Sequence, residues 1–454
     1  MDDHSLLTTH QLPLTKREHA MQETRFITLN PGHFHAALVQ KEMYEQVAPQ
    51  VHVYAPLGPD LIAHLGRIAG FNTRSQQPTQ WELEVHACAD YLQRLAREKP
   101  GNAVVLAGCN ANKIDAILAA LDAGMNVLAD KPWILVPEHL PKLQRALDCA
   151  DERGLIALDI MTERYEITSI LQRAFIQDEA TFGTIIAGSP DEPGVFMESV
   201  HYLKKLVAGV PLRRPESFFD IHQQGEALSD VGTHLVDLVM WMLHPNQAID
   251  VSKDVCIMSA HRWPTALSKG DFQQITGAID YPRYLHDALE NDDLQYYCNT
   301  LVHYALRGVH VKLNILWDVE ASAGGGDTHL AIFRGTRSRV EIRQRREEKY
   351  QPKLYIIPNK TMEYPLVGRA LDRQIHGLRV DFPGIGVTDM GTHFRLAIPG
   401  EYRVGHEAHF AQVTKQFLRY LRKQDLMPAW EKPNMMAKYF VTTRGVEASR
   451  KPQR

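Results

Sequence analysis

The stretch AVVLAGCNANKIDAILAALDAGMNVLAD, residues 103–130, decides the fold. It begins with the continuous apolar run AVVLA at 103–107, which is typical of a strand buried on both faces of a parallel sheet. An alanine-rich helical segment follows at 113–123, and Gly124 is suited to end it in a left-handed conformation. A second apolar run, NVLA at 126–129, predicts another strand. Strand, helix and strand in this order indicate an α/β fold.

The flanking sequence repeats this alternation on both sides. Upstream, RFITL at 25–29 predicts a strand, residues 34–46 a helix and residues 51–54 a further strand. Downstream, residues 140–153 predict a helix and residues 155–159 a strand. We therefore expect a Rossmann-type, doubly wound parallel sheet over residues 25–158, preceded by a polar extension over residues 1–24.

The pattern changes after residue 158. Helices are predicted at 168–178 and 230–243, strands at 251–258, 300–317, 328–333, 339–344 and 354–357, and a final helical pair at 409–422 and 435–448. Because few helices separate these strands, an antiparallel arrangement is favoured over further βαβ units. Residues 159–454 are thus expected to form an α+β domain with a large, open, mostly antiparallel sheet; the family resemblance described below implies that this domain binds substrate and mediates oligomerisation.

Bulk composition excludes several classes of protein. The net charge of -4 gives no electrostatic basis for binding nucleic acid. Five cysteines are scattered without any CxxC spacing, which argues against a disulfide framework or zinc knuckle and favours a reducing, cytoplasmic location. No apolar run approaches the roughly 20 residues needed to cross a bilayer.

A dinucleotide-binding loop is expected between the first strand and the first helix. The usual motif is GxGxxG, whereas Asn30-Pro31-Gly32-His33-Phe34-His35 keeps only the middle glycine. Asn30 can adopt the left-handed conformation that glycine usually supplies. The loop containing Gly108 and Asn110 follows the AVVLA strand, where ligands of such sheets bind. Tyr54-Ala55-Pro56 offers no acid for the adenine ribose, so the choice between NAD and NADP stays open.

A second group of residues has the types needed for proton transfer. Asp130-Lys131-Pro132 ends the NVLA strand, and DVGTHLVD occupies residues 230–237. On a helix, Asp230, His234 and Asp237 lie on one face. A lysine with a shiftable pKa, an imidazole and an orienting carboxylate suit removal of a hydroxyl proton. The alternative interpretation makes Asp230 a helix N-cap, His234 an ordinary histidine and Asp237 a solvated side chain.

These motifs resemble those of the Gfo/Idh/MocA family, named after glucose-fructose oxidoreductase and inositol dehydrogenase. The resembling segments are an AxxAGxxV pattern at 120–127, the (E/D)KP tripeptide at 130–132, the DxGxHxxD string at 230–237 and an FxGTxGxxxI-like hairpin at 333–342. The similarity extends from about residue 25 to at least 345. Residues 403–409, RVGHEAH, resemble a subgroup of proposed oxidoreductases with a specialised C-terminal domain.

The resemblance implies an enzyme that transfers a hydride between NAD or NADP and a sugar, sugar derivative or cyclitol. By resemblance, Lys131 and His234 share the proton transfer and Asp230 positions the substrate hydroxyl. The expected cofactor-binding residues are Asn30, Gly32, His33, Phe34, His35, Gly108, Asn110, Asp130 and Lys131. The expected substrate-binding residues are Lys131, Arg164, Tyr165, His201, Asp230 and His234. A homo-oligomer, a dimer or tetramer, is also implied.

Two other functions remain open from the sequence. The family includes enzymes that retain NAD and cleave glycosides through transient oxidation, and the loss of loop glycines is compatible with a non-catalytic sensor of dinucleotide or sugar. Metal binding is not expected, because His406 and His409 are three residues apart and the zincin motif requires four.

Overall fold

The computed structural model describes residues 23–207 and 210–451. The predicted N-terminal extension, residues 1–24, lies outside the described residues except for its last two positions. Among the helices that the structure describes, none combines the length and the apolar character needed to cross a membrane.

The first part of the chain forms the expected parallel sheet, which has six strands in the order β3-β2-β1-β4-β5-β6. Its strands are β1 (Phe26–Leu29), β2 (Gln50–Ala55), β3 (Glu82–Ala87), β4 (Ala103–Leu106), β5 (Asn126–Asp130) and β6 (Ala157–Ile160). Its helices are α1 (His35–Val39), α2 (Pro59–Thr73), α3 (Tyr91–Glu98), α4 (Lys113–Asp122) and α5 (Leu140–Glu152). Since β1 and β4 are neighbours in the middle of the sheet, their carboxyl ends flank the switch point where such sheets bind ligands.

The structure differs from the sequence prediction around α1 and β3. The helix predicted at 34–46 ends at Val39, because the carbonyls of Gln40 and Lys41 accept hydrogen bonds from Trp81 and Arg74 instead of continuing a helix. The sequence analysis missed α2 and β3. Strand β3 is the edge of the sheet and most of its residues are exposed or half-buried, so it lacks the apolar run that identifies β4.

The second part contains the expected large, mostly antiparallel sheet. Its strand order is β10-β12-β13-β7-β14-β15-β16-β18-β17. Within this sheet, among the described residues, β7 and β13 form the only parallel pair. The strands after β6 are β7 (Val195–Lys204), β8 (Leu206–Val207), β9 (Val210–Pro211), β10 (Val255–Leu267), β11 (Leu289–Glu290), β12 (Asp293–Leu306), β13 (Val309–Glu320), β14 (Thr328–Arg334), β15 (Ser338–Gln344), β16 (Lys353–Pro358), β17 (Gly386–Asp389) and β18 (Phe394–Ala397). The predicted strand at 300–317 is two strands joined by a turn in which Arg307 and Gly308 have positive φ.

Helices cover this sheet and also reach back to the first one. They are α6 (Ile167–Ile176), α7 (Ala227–Leu243), α8 (Lys269–Thr276), α9 (Tyr364–Leu378), α10 (His406–Arg422) and α11 (Glu431–Ser449). Phe410 and Phe417 of α10 join the core around Phe26 of β1, and Tyr439 of α11 packs near Trp133. The boundary predicted after residue 158 falls inside β6, which ends at Ile160; α10 packs into the core of the first sheet, and α11 contributes to both cores.

A buried network of charges ties α7, α11 and β6 together. Lys438 of α11 is fully buried, and its Nζ lies 2.7 Å from Asp159 Oδ2 and 3.0 Å from Asp237 Oδ1. Arg164 donates to both carboxylate oxygens of Asp237, at 2.6 and 2.7 Å, and also pairs with Glu431 at 2.8 Å. Although burial alone would lower it, the two carboxylates raise the pKa of Lys438. Each charge in the network is thus compensated by a partner.

Replacing Lys438 with Met is expected to destabilise the fold strongly. The substitution keeps a similar volume but leaves the buried carboxylates of Asp159 and Asp237 without their ammonium partner. Loss of one partner from a buried pair costs about 3–5 kcal/mol. The control is Lys415→Met, which removes a surface pair with Glu42 and should cost under about 1 kcal/mol. Urea denaturation of both variants measures the difference, and equal midpoints would contradict the role of the network.

Candidate active site

The site lies where the carboxyl end of β5 meets the first turns of α7. Lys131 directly follows β5, and its peptide bond to Pro132 is cis. The Lys131 ammonium forms an ion pair with the Asp230 carboxylate and donates to the Asp230 carbonyl at 3.0 Å. Lys131 is only 9% exposed. The two segments that the sequence analysis singled out, 99 residues apart, therefore meet through a direct contact.

Asp230 is not the N-cap of its helix. Helix α7 begins at Ala227, and Glu226 occupies the N-cap position. The alternative interpretation of Asp230 is thus wrong. Its carboxylate lies inside the first turn, directed at Lys131, and although burial opposes the shift, the Lys131 charge lowers the pKa of Asp230. Asp230 is therefore an anion beside the ammonium at neutral pH.

His234 follows one turn later on the same face of α7. Its Nδ1 is buried and has no hydrogen-bond partner among the described residues. Burial, aided by the charge of Lys131, lowers the pKa of His234 to about 3. The imidazole is consequently neutral at pH 7 and can accept a proton there. Asp237, the last member of the predicted set, belongs instead to the buried charge network and is 2% exposed.

The Asp130 side chain contacts two histidines of the turn between β1 and α1. Its Oδ2 lies 2.8 Å from His35 Nδ1 and 3.9 Å from His33 Nδ1. Its backbone carbonyl accepts a hydrogen bond of 2.8 Å from the buried Lys113. Burial lowers the pKa of Lys113 to about 8. Asp130 thus holds His35 at the position of the third loop glycine, where the His35 ring packs on Phe410 of α10.

The turn between β1 and α1 has the backbone geometry expected of a phosphate loop. Asn30 has a φ of 44°, which supplies the left-handed conformation usually taken by glycine. A Cβ on Gly32 would lie 2.9 Å from Cys109 Sγ and 3.4 Å from the Cys109 backbone nitrogen, so a larger residue here would have to displace the Cys109 side chain. Gly108 has a φ of 90°, and the neighbouring Ala107 carbonyl accepts a hydrogen bond of 3.1 Å from the His33 amide. The two turns at the switch point are therefore in direct backbone contact.

Arg164, Tyr165 and His201, which were predicted to bind substrate, lie in three separate environments. All three nitrogen positions of the Arg164 guanidinium are engaged by Asp237 and Glu431, so Arg164 is withdrawn from the candidate site. Tyr165 lies by a small cavity beside Val413 and Tyr420 of α10, in the packing behind β6. His201 stacks on Trp317, with ring centroids 4.8 Å apart, and its Nε2 lies 2.8 Å from the Ser199 hydroxyl. His201 therefore lies on the second sheet and stays a candidate.

Comparisons with known proteins agree with this architecture. Residues 171–450 match the family model described as "Putative oxidoreductase C terminal domain". A crystal structure from Parabacteroides merdae, described as a "putative oxidoreductase", is 44% identical over 94% of this chain and 97% of that one, with a TM-score of 0.91. The chain belongs to the Gfo/Idh/MocA oxidoreductases. No match was found among the curated proteins.

More distant members of the Gfo/Idh/MocA fold were solved with dinucleotides. A mutant of KijD10, a 3-ketoreductase from Actinomadura kijaniata, in complex with TDP-benzene and NADP, is 15% identical with a TM-score of 0.58, covering 94% of this chain and 98% of its own. GenD2 from gentamicin A biosynthesis, in complex with NAD, is 15% identical with a TM-score of 0.55, covering 98% and 97%. At such identities the likeness shows the fold alone.

Two charged side chains, Asp60 and Arg67, lie beside the turn that follows β1, and the acid is a residue that the sequence analysis missed. Asp60, in the first turn of α2, has its Oδ2 3.7 Å from the position of a Cβ on Gly32. The Arg67 guanidinium lies 5.9 Å from the centre of the Phe34 ring, and its charge opposes the rise that burial causes in the pKa of Asp60. The sequence analysis looked for the acid at 54–56, directly after β2, whereas Asp60 comes five residues after the strand ends.

Two further charged residues, Glu163 and Arg214, were also missed in the sequence analysis. Glu163 Oε1 lies 3.4 Å from His406 Nδ1, so the first residue of α10 faces the segment that follows β6. The Arg214 guanidinium lies over Phe218 and Trp317, 4.4 and 5.0 Å from the ring centres. Arg214 Nε is buried without a hydrogen-bond partner in the described residues. No sequence motif indicates this role for Arg214, because one of the two rings around it, that of Trp317, belongs to β13, about a hundred residues later in the chain.

Replacing Gly108 with Ala is expected to disrupt the contact between the two turns. The added Cβ would lie 2.4 Å from the Gly32 backbone carbon and 2.6 Å from the His33 nitrogen. Gly124→Ala is the matched control, since Gly124 has a similar φ of 84° but nothing within 4 Å of its Cβ. Both variants bear the strain of a left-handed alanine, of order 1 kcal/mol. Only Gly108→Ala adds the clash, so its thermal midpoint should fall further; equal losses would show that the turns can separate freely.

Proposed function

We propose that this chain is an NAD- or NADP-dependent oxidoreductase that transfers a hydride between the nicotinamide and a sugar, sugar derivative or cyclitol. The observation that carries the proposal is the nearly buried Lys131 ammonium, paired with Asp230 and placed within electrostatic range of the neutral His234. Lys131 follows β5 of the parallel sheet, and Asp230 and His234 lie on α7, which meets the carboxyl end of that strand, the end at which doubly wound sheets bind ligands. The dinucleotides bound to KijD10 and GenD2 support this choice of cofactor.

The residues at the switch point fit a dinucleotide. The turn of Asn30, Gly32, His33, Phe34 and His35 would hold the pyrophosphate, since Gly32 keeps side chains away and Asn30 supplies the sharp bend. Gly108 and Asn110 would border the nicotinamide ribose; the Asn110 amide donates to the Gln224 carbonyl at 2.9 Å, which fixes that loop against the second domain. When bound, the nicotinamide accepts or supplies the hydride.

Two neighbouring side chains bear on the choice between NAD and NADP. Asp60 could accept hydrogen bonds from ribose hydroxyls, and Arg67 could pair with a 2′-phosphate. They lie close enough for their charges to oppose the effect of burial on each other's pKa. Both cofactors are therefore proposed, with Asp60 and Arg67 as the residues that discriminate between them.

Lys131 and His234 would handle the proton of the reacting hydroxyl. The Asp230 carboxylate and the Asp230 backbone carbonyl both contact the Lys131 ammonium, and together they fix its position at the end of β5. As a hydroxyl is oxidised, its proton passes to the neutral imidazole of His234, while the ammonium stabilises the negative charge that develops on oxygen. In the reverse direction the protonated group returns the proton to a carbonyl oxygen. His201 and the unpartnered Arg214 would contact the remainder of the substrate.

The two alternative functions from the sequence analysis predict different results in an activity assay. A glycoside-cleaving enzyme that retains NAD would release sugar without net reduction of added dinucleotide. A sensor would bind dinucleotide or sugar without turnover. The paired Lys131 and Asp230 favour an enzyme over a sensor, because a sensor has no need for a nearly buried ammonium beside an imidazole that is kept neutral.

Lys131→Met is expected to lower turnover about 10²–10⁴-fold, because it removes the ammonium; it also leaves the largely buried Asp230 carboxylate without its partner, so a loss of stability accompanies it. Dinucleotide reduction across a panel of sugars, inositols and glycosides measures the effect, with near-UV circular dichroism as the test of folding. Lys142→Met, which removes a lysine paired with Asp115 on the surface, is the control and should keep full turnover. Wild-type turnover in Lys131→Met would refute the assignment.

We also propose a homo-oligomer in the reducing environment of the cytoplasm. The edge strand β10 is long and partly exposed, with Met258 51% exposed on it, and so offers a surface for a second copy of the chain. All five cysteines are free thiols, as suits that compartment. Sedimentation at micromolar concentration should give a mass of at least two chains. A single species of 51.5 kDa would contradict the proposal.

A further inference from the structure

Strands β2 and β3 carry two imidazoles and a carboxylate side by side, away from the candidate active site. His52 of β2 pairs with Glu84 of β3, and Tyr54 pairs with His86. Residues at every second position of a strand, together with their cross-strand partners, point to the same face of a sheet. His52, Glu84 and His86 therefore share one face of the sheet, at its edge, next to α3.

The possible ligand atoms lie close together, and each imidazole faces a different oxygen of Glu84. His52 Nδ1 lies 3.2 Å from His86 Nε2 and 3.5 Å from Glu84 Oε2, and His86 Nε2 lies 3.5 Å from Glu84 Oε1. A tetrahedral Zn²⁺ ion with ligands at about 2.0–2.1 Å separates them by about 3.3 Å. The observed spacings lie within about 0.2 Å of that value. The side chains could thus coordinate one ion without moving apart.

Neighbouring side chains hold these groups in position. The His86 ring stacks on the Tyr54 ring, with centroids 4.2 Å apart and planes 17° from parallel. Gln50 Nε2 donates to Glu84 Oε2 at 3.2 Å, which orients the carboxylate. Such contacts behind the ligands set both geometry and affinity in metal sites. The backbone pairing of β2 with β3 adds rigidity that a loop cluster would lack.

Access to solvent leaves room for a further ligand. The side chains of His52 and His86 are 13% and 9% exposed, whereas Glu84 is 50% exposed. Two imidazoles and one carboxylate with an open fourth position form a ligand set that zinc accepts. His33, His35 and Asp130 also lie close together, but Lys131 follows Asp130 directly in the chain, and the charge of its ammonium acts on both imidazoles. A cation is disfavoured there.

We propose that His52, Glu84 and His86 bind a zinc ion that links the edge strand β3 to β2. The sequence analysis expected no metal because it considered spacing along the chain, whereas these ligands are 32 and 2 residues apart and meet only through strand pairing. The site is independent of the proposed oxidoreductase activity.

The test is a titration of the full-length protein with Zn²⁺ after treatment with a chelator. Calorimetry should show binding that His86→Ala abolishes and that Glu84→Gln weakens about tenfold or more. Substitution with Co²⁺ should give the visible absorption bands of a four-coordinate ion in the wild type only. The control is His303→Ala, which disrupts another close imidazole pair, His303 Nδ1 and His310 Nε2 at 2.8 Å, and should leave binding unchanged.

Two outcomes would overturn the proposal. One is a wild-type protein that does not bind Zn²⁺, and the other is binding that His86→Ala and Glu84→Gln leave intact. If His86→Ala fails to fold, Glu84→Gln decides alone, because Glu84 is half exposed and its replacement keeps the shape of the side chain. Dinucleotide turnover should be the same before and after chelation, which separates this test from that of the proposed function.

Discussion

The carboxylate of Asp237 fixes the position of α7, and the candidate active site depends on that position. Asp237 accepts two hydrogen bonds from Arg164, which follows β6, and one from Lys438 of α11. A buried carboxylate tolerates little displacement once paired in this way, since losing a partner exposes the full cost of desolvation. Because α7 is a continuous helix, its first turns are oriented by the same contacts. Asp230 is thereby presented to Lys131.

The distribution of charge in the candidate active site follows from this arrangement. One ammonium is held against one carboxylate, and the nearby imidazole of His234 is kept neutral by burial and by the positive charge of Lys131. The fold therefore separates the roles of a fixed cation and a free base, which is the distribution that removal of a hydroxyl proton requires. Had His234 retained its ordinary pKa, part of the population would carry the proton before substrate arrived.

The glycine-poor turn after β1 shows how the chain can depart from a familiar motif and keep its backbone. Asn30 takes the left-handed conformation, Gly32 lies against the Cys109 side chain, and His35 stands in place of the third glycine and bonds to Asp130. Helix α10 covers that histidine with Phe410. A helix near the C-terminus is thus part of the surroundings of the turn that follows β1.

The sequence by itself determined the elements whose signal is local. The apolar runs of β4 and β5, the alanine-rich α4 and the amphipathic α7 are all visible in the order of residues, as are Asp130, Lys131, Asp230 and His234. It missed β3, an exposed edge strand, and extended α1 beyond Val39, because tertiary hydrogen bonds to Gln40 and Lys41 end that helix. Only the tertiary structure decided that Arg164 is enclosed by Asp237 and Glu431, that Arg214 faces aromatic rings without a partner, and that His52, Glu84 and His86 meet. The physical reason is that burial, charge pairing and cross-strand neighbours arise from segments distant in sequence, and no local pattern encodes them.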